Sequence, residues 1–284
     1  VAGSIARRGE PRRKSCRISY NTYHDVGPKY NREKIFELMP TLADMGFGLI
    51  HLDPGWETVW GSNIWGENHM GDLEGVVAEA RRHGLEIGCW TSVHSTDSEV
   101  HGDANYTRNQ AGEKFYAEDF ATINPSWNRL WGSCPASNWQ EAALANLSRL
   151  GKAGFRFLNS DFHDWPWMGE GCWSKDHWHK GWLTRADWCE ALNDFYIRLH
   201  RECPDMVIEL HDHVESGEYR TPVWYLYDRP DSYDEKWAYE FMWHTYENLM
   251  DHKLFSLYYV RLAEPIPMFL HMHAASDNEN AIAF

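Results

Sequence analysis

Ala153-Gly-Phe-Arg-Phe-Leu-Asn-Ser-Asp-Phe-His-Asp-Trp165 sets an apolar run behind a glycine and ends it in a carboxylate flanked by aromatic rings. A strand buried on both faces reads this way, because a parallel sheet covered by helices needs near-continuous apolar residues. Phe155, Phe157 and Leu158 are the expected strand core. Asp161, His163 and Asp164 then fall just past its C-terminal end, where parallel barrels collect their chemistry. Asp161 is therefore the expected centre of a site.

Working outward, apolar runs alternate with segments of helical period from Cys16 onward, the pattern of repeated βα units. The expected strands are Cys16–Tyr20, Gly46–Leu52, Leu85–Trp90, the run ending at Asp161, Met206–Leu210, Val223–Tyr227 and Met268–Met272. Asn31 is placed to cap a helix carrying Ile35, Phe36, Met39, Leu42 and Met45, with a kink at Pro40. Asp72 caps a second helix with Val76, Val77 and Ala80 inward and Gly84 as its stop. Asn138–Leu150 is a third, Thr184 with Asp187 forms a capping box that opens a fourth through about Arg201, and Asp234–Met250 reads as a fifth.

Thr91–Ser137 and His163–Trp182 keep no period, and excursions of this length inside a compact barrel are usually functional. The second holds Trp165, Trp167, Trp173, Trp178 and Trp182, readable as a lid or subsite wall or as a local aromatic cluster. The fold expected is α/β, a (β/α)8 TIM-type barrel in a single domain over 16–284, after a basic tail or linker over 1–15. About seven strands are counted, so the last βα unit is missing and exposed edges would favour self-association.

At 284 residues the chain is long enough for one large domain. A formal net charge of −15 argues against nucleic acid or an anionic membrane as partner, since both need a basic face. Aromatic residues make up 15% of the chain, more than a core needs, and flat rings beside carboxylates suit the C–H faces of sugars. Cys16, Cys89, Cys134, Cys172, Cys189 and Cys203 show no C-x-x-C pair and no zinc spacing, which reads as reduced core or loop thiols. No run resembles a secretory leader or a membrane span, and the sequons at Asn105 and Asn146 do not fix a compartment, so cytoplasm and secretion both stay open.

Asp53, Asp161, Glu209 and Asp228 all end expected strands, and a parallel barrel brings such residues to one face. Retaining glycosidases need a set of this kind. One carboxylate attacks the anomeric carbon, a second protonates the departing oxygen, and the two lie about 5 Å apart. A single strand-end acid is as often structural as catalytic; four together point to chemistry.

Gly46-Phe-Gly-Leu-Ile-His-Leu-Asp-Pro-Gly-Trp, Gly84-Leu-Glu-Ile-Gly-Cys-Trp, Ile123-Asn-Pro-Ser, Gly154-Phe-Arg-Phe-Leu-Asn-Ser-Asp-Phe and Tyr227-Asp-Arg-Pro-Asp-Ser follow one another in an order and spacing that resemble the melibiase-type α-galactosidases and their clan of retaining α-glycosidases. The resemblance covers nearly the whole chain from Cys16. It implies that Asp161 is the nucleophile and Asp228 the acid/base. It also implies that Asp53, Trp56 and Trp90 line the sugar subsite and that Arg220, with Ser216-Gly217, belongs to a loop after the fifth strand. Asn159, His163, Glu209, His211 and Asp231 complete the expected substrate-binding set. The implied partner is an oligosaccharide or glycoside, and no cofactor is implied.

Two positions depart from that pattern. Pro54 stands where the second of two adjacent aspartates is expected, and Asn159 where a lysine normally lies two residues before the nucleophile. Both positions normally hold galactose hydroxyls, so the reaction class is better supported than the sugar. The family also flanks its barrel with β-sandwich domains not seen in this sequence, which together with the missing last unit reads as a fragment of a longer protein. Two alternatives stay open. His163 with Asp161, His211-Asp-His213 and His271-Met-His273 lie at or near strand ends, where His/Asp sets hold metal in metal-dependent hydrolases. The other is a catalytically impaired carbohydrate-binding barrel, although the presence of both Asp161 and Asp228 speaks against it.

Overall fold

Short apolar strands running in one direction frame the structure, a computed structural model that describes residues 18–23, 25–114, 116–118, 129–161, 171–210, 235–237 and 268–269. In chain order the strands are β1 (Ser19–Asn21), β2 (Leu49–Leu52), β3 (Glu86–Ser92), β4 (Ser95–Thr96), β5 (Tyr116–Glu118), β6 (Arg129–Gly132), β7 (Phe157–Asp161), β8 (Val207–Leu210), β9 (Glu235–Trp237) and β10 (Met268–Phe269). The helices are α1 (Arg32–Asp44), α2 (Glu67–Met70), α3 (Leu73–Arg82), α4 (Trp139–Ala153) and α5 (Arg185–Glu202). A seven-stranded sheet has the order β1-β2-β3-β7-β8-β9-β10 with every pairing parallel. Among the described residues β1 and β10 remain its two edges, so the sheet does not close into a barrel there.

Helix starts follow the local chemistry. The Asn31 side chain accepts from the Lys34 amide and that of Asp72 from the Gly75 amide, each satisfying a first-turn donor that the helix cannot. Thr184 and Asp187 form the reciprocal capping box at α5. Pro40 does not divide α1, which runs on to Asp44. It sits on the exposed side, and buried Ile35, Met39 and Leu42 hold the turns on either side of it against the core.

The two faces of the sheet differ. Ile50, Leu52, Ile87, Cys89, Leu158 and Ile208 turn to the helices and join one large buried core with Val76, Leu147 and Leu192. Residues at the alternate positions turn away from it. At the start of the strands these are Leu49, Phe157 and Val207, which form a separate small apolar cluster. Gly88 lies opposite Phe157 because nothing larger fits: a Cβ there would stand 2.6 Å from the Phe157 Cβ and 2.8 Å from its carbonyl oxygen. Further along the same face comes His51, edge-on against Phe157, then Asp53, Trp90, Asn159 and Glu209 level with one another, and last Asp161, all buried. The face thus turns from apolar to ionisable toward the strands' C-terminal ends.

After β3, the described residues between 93 and 137 form a second sheet, antiparallel, in the order β4-β6-β5. It hangs from the C-terminal end of the main sheet. Thr96 Oγ1 donates to the Trp60 carbonyl at 2.9 Å, and the His101 ring, stacked on Trp139 at 3.6 Å, bonds Gly61 O and Ser133 Oγ. No helix of the described residues is long and apolar enough to cross a membrane.

The strand beside β8 departs from expectation. It is Glu235–Trp237, in the stretch read as the start of a helix, with Glu209 opposite Glu235. Parallel pairing to β8 outweighs the local helical period at these residues. Val223–Tyr227, the remainder of 234–250, the tail over 1–15 and the segments Phe255–Val260 and Asp277–Phe284 lie outside the described residues.

Candidate active site

Asp161 is not beyond its strand but the last residue of β7, opposite Ser92 in β3. It is 5% exposed, and the Trp90 indole donates to its Oδ2 at 3.0 Å. An N–H aimed at a buried carboxylate stabilises its charge. Trp90 is itself positioned from below, where fully buried Trp56, stacked on Trp65, donates its indole N–H to the Trp90 carbonyl at 2.7 Å. Trp56 therefore reaches the site through the backbone of β3 rather than with its own ring face.

Asp53 follows β2 directly and is held from three sides. Asn21 Nδ2 donates to Asp53 Oδ2 at 2.6 Å, Thr22 Oγ1 accepts from its amide at 2.9 Å, and the buried Tyr30 hydroxyl donates to its carbonyl. Burial pushes its carboxyl up to about 7, the Asn21 amide working against the rise and the Asp161 charge adding to it. Asp53 and Asp161 are thus electrostatic neighbours across the intervening β3. Below Asp161 on the same strand, Asn159 Nδ2 donates to Glu209 Oε2. His51, packed edge-on against Phe157 one step earlier, is a neutral imidazole, lowered by burial to about 3.

The Glu57 carboxyl, also pushed up by burial to about 7, does different work: it accepts from the amides of Gly61 and Asn63 and from Asn63 Nδ2. It ties the loop after β2 into a knot beside Trp90, and Asn63 Nδ2 passes the tie on to Thr91 Oγ1 at 2.8 Å. Gly55 allows that loop to pass the Pro28 carbonyl, which a Cβ would meet at 2.3 Å. A cleft of about 610 Å3 opens between these loops, lined by Lys29, Asn31, Lys34, Pro54, Trp60 and Asp97; neither Asp53 nor Asp161 lines it.

Of the residues expected at the site, the structure gathers Asp53, Trp90 and Asp161 at one end of the sheet, with Asn159 opposite Trp90, Glu209 opposite Asn159 and Trp56 behind. Asp228, His163, His211, Arg220 and Asp231 lie outside the described residues, as do His213, His271 and His273. Asn21, Tyr30 and His51 were not expected. Asn21 ends β1 just as the acids end their strands, so extending the strand-end rule from carboxylates to amides finds it.

No protein-family model matches the sequence, and no curated protein matches it. Likeness appears among solved structures. A doubly substituted GH36 alpha-galactosidase AgaA from Geobacillus stearothermophilus, in complex with stachyose, superposes with a TM-score of 0.61 at 15% identity, over 94% of this chain and 36% of that one. The alpha-galactosidase TtGalA from Thermus thermophilus, also with stachyose, gives 0.54 at 15% identity over 71% and 41%. The galactosidase domain of the alpha-galactosidase-sucrose kinase AgaSK gives 0.52 at 14% over 68% and 26%. The chain spans well under half the length of each. The likeness is one of fold: this parallel α/β sheet is arranged as in the TIM-barrel α-galactosidases.

Proposed function

We propose that this chain is a retaining glycosidase for terminal α-linked sugars, α-galactoside-like, working through two carboxylates. The observation that carries the reading is Asp161: a buried carboxylate ending a central parallel strand, gripped by the Trp90 indole, on a fold like that of the α-galactosidases. Asp161 attacks the anomeric carbon as the glycosidic oxygen leaves with a proton from Asp228, and an ester between sugar and Asp161 results. Asp228, now ionised, takes a proton from water, the water oxygen attacks the same carbon, and Asp161 departs. Two inversions restore the α configuration.

Asp53 suits the substrate-binding part of this scheme. Burial raises the Asp53 carboxyl toward neutrality and so favours its protonated form, which donates to a sugar hydroxyl without setting a full second charge beside the nucleophile. The Asn159–Glu209 pair bears on specificity. The amide that replaces a lysine is engaged with a carboxylate, which supports a looser sugar preference than a lysine-bearing site has.

The test is a panel of aryl α- and β-glycosides offered to the full chain and to Asp161→Asn and Asp228→Asn. Cleavage of the α-galactoside is expected, with each variant slower by about 10³-fold or more at unchanged melting temperature. Cleavage confined to β-glycosides, or variants as fast as the parent, refutes the proposal.

A further inference from the structure

Away from Asp161, four side chains from two parts of the chain gather at one spot. Cys134 follows β6 at the root of the antiparallel sheet, while Cys172, His177 and His179 come from the segment that leads into α5. One sulfur or nitrogen from each lies within 4.8 Å of all the others. Cys134, Cys172 and His177 are buried and His179 is half-buried. Cys172 Sγ and His177 Nδ1 stand 3.4 Å apart. A tetrahedral zinc ion, with bonds of about 2.3 Å to sulfur and about 2.0 Å to nitrogen, spaces its ligand atoms by roughly 3.3–3.8 Å. The cluster is already near that size.

The imidazoles are set for the same purpose. His177 Nε2 lies 2.8 Å from the Ala104 carbonyl, which only accepts, so Nε2 carries the proton and Nδ1 turns a bare lone pair toward Cys172. His179 Nδ1 lies 2.8 Å from the Gly181 carbonyl and is protonated for the same reason. Its Nε2 is then a bare acceptor, buried and without a hydrogen-bond partner among the described residues. A buried acceptor left so is costly and calls for an explanation. Fixing a ring by donating its far N–H to a carbonyl is how proteins orient histidines that ligate metal.

We propose that Cys134, Cys172, His177 and His179 bind one zinc ion in a closed tetrahedral site. Two thiolates and two neutral imidazoles offset the ion's charge, and the thiol protons go to solvent as the Zn–S bonds form. With four protein ligands no position is open for substrate, which makes the ion structural. It fastens residues 172–183 to the antiparallel sheet. That segment is already laid there by the Trp178 amide on Ala136 O at 2.9 Å and carries the stacked pair Trp173 and Trp182. The inference rests on these four residues and not on the glycosidase reading.

The experiment uses the full chain without a histidine tag, purified without chelator. Elemental analysis should find one zinc per chain, and cobalt(II) titrated into the zinc-free reduced protein should give the visible bands of tetrahedral, thiolate-bound cobalt. Cys134→Ser and His179→Ala should each weaken metal binding by more than about 100-fold, beyond the loss expected for an outer partner alone. Cys189→Ser, a buried cysteine outside the cluster, should bind as the parent does. Should the Cys134→Ser chain fail to fold, the cobalt spectrum of the parent and of His179→Ala decides. Zinc absent with no tetrahedral cobalt bands, zinc content equal in parent and variants, or a disulfide between Cys134 and Cys172 in the native protein would each overturn the proposal.

Discussion

Replacing Asp53 by asparagine should stabilise the fold at neutral pH, and the size of the gain should depend on pH in a defined way. Burial raises the Asp53 carboxyl from 3.8 to about 7, with Asn21 opposing and Asp161 assisting. Between those two values the unfolded chain has released the proton while the native chain still holds it. The native state then binds more protons, so wild-type stability falls as pH rises through this window and levels off above about 7. From pH 5 to pH 7 the Asp53 share of the fall is about 2 kcal/mol, the slope of about 1.36 kcal/mol per pH unit easing as the native carboxyl begins to ionise. The asparagine variant does not ionise, and Asn21 Nδ2 still meets an acceptor oxygen. Its stability relative to wild type should therefore grow by about 3 kcal/mol between pH 5 and pH 8. Glu57, raised by burial in both chains, cancels in the comparison. Urea unfolding of the two chains at matched pH values, followed by circular dichroism, measures the gap. A gap that is constant with pH, or that narrows as pH rises, refutes the burial of Asp53 as described.

Two further substitutions separate the site from its frame. Trp90→Phe removes the donor to Asp161 Oδ2 and leaves the Trp56 bond to the main-chain carbonyl in place; at a temperature where both chains are folded, kcat/KM should fall by about 10- to 100-fold, as for loss of a hydrogen bond to a charged group, and the gap left by the trimmed buried ring should lower the melting temperature as well. Steady-state kinetics on an aryl α-galactoside check this. Gly88→Ala drives a Cβ to 2.6 Å from that of Phe157 and should cost about 1–3 kcal/mol in chemical unfolding, since backbone as well as side chain blocks relaxation; parent-like stability would contradict the strand register.

Local signals were the legible part of the fold. Asn31, Asp72 and Thr184 with Asp187 start helices where their side chains say they should, because a cap is a contact within one turn. Of the expected strands, the apolar runs around Leu49, Ile87, Phe157 and Val207 became parallel neighbours, and the rule that acids at strand ends converge brought Asp53 and Asp161 together. Glu235–Trp237 was misread because its role as a strand comes from pairing with β8 and not from its own period. The strands of the antiparallel sheet, two to four residues each, are too short for any period to show. The Cys134, Cys172, His177 and His179 cluster escaped the search for metal spacing because α4 and β7 intervene between its first and second members. Glu57, an acid in the loop after β2, is marked as structural by its partners Gly61 and Asn63, which only the fold brings to it.

The central claim is that Asp161 bonds covalently to sugar, and trapping that bond tests it most directly. Treating the full chain with an activated α-galactosyl donor, fluorinated so that the second step is slow, and mapping the adduct by mass spectrometry should place a single sugar on the peptide carrying Asp161, with no label on Asp161→Asn. A sugar attached elsewhere, or a chain that turns the donor over and is never labelled, would contradict the two-carboxylate mechanism.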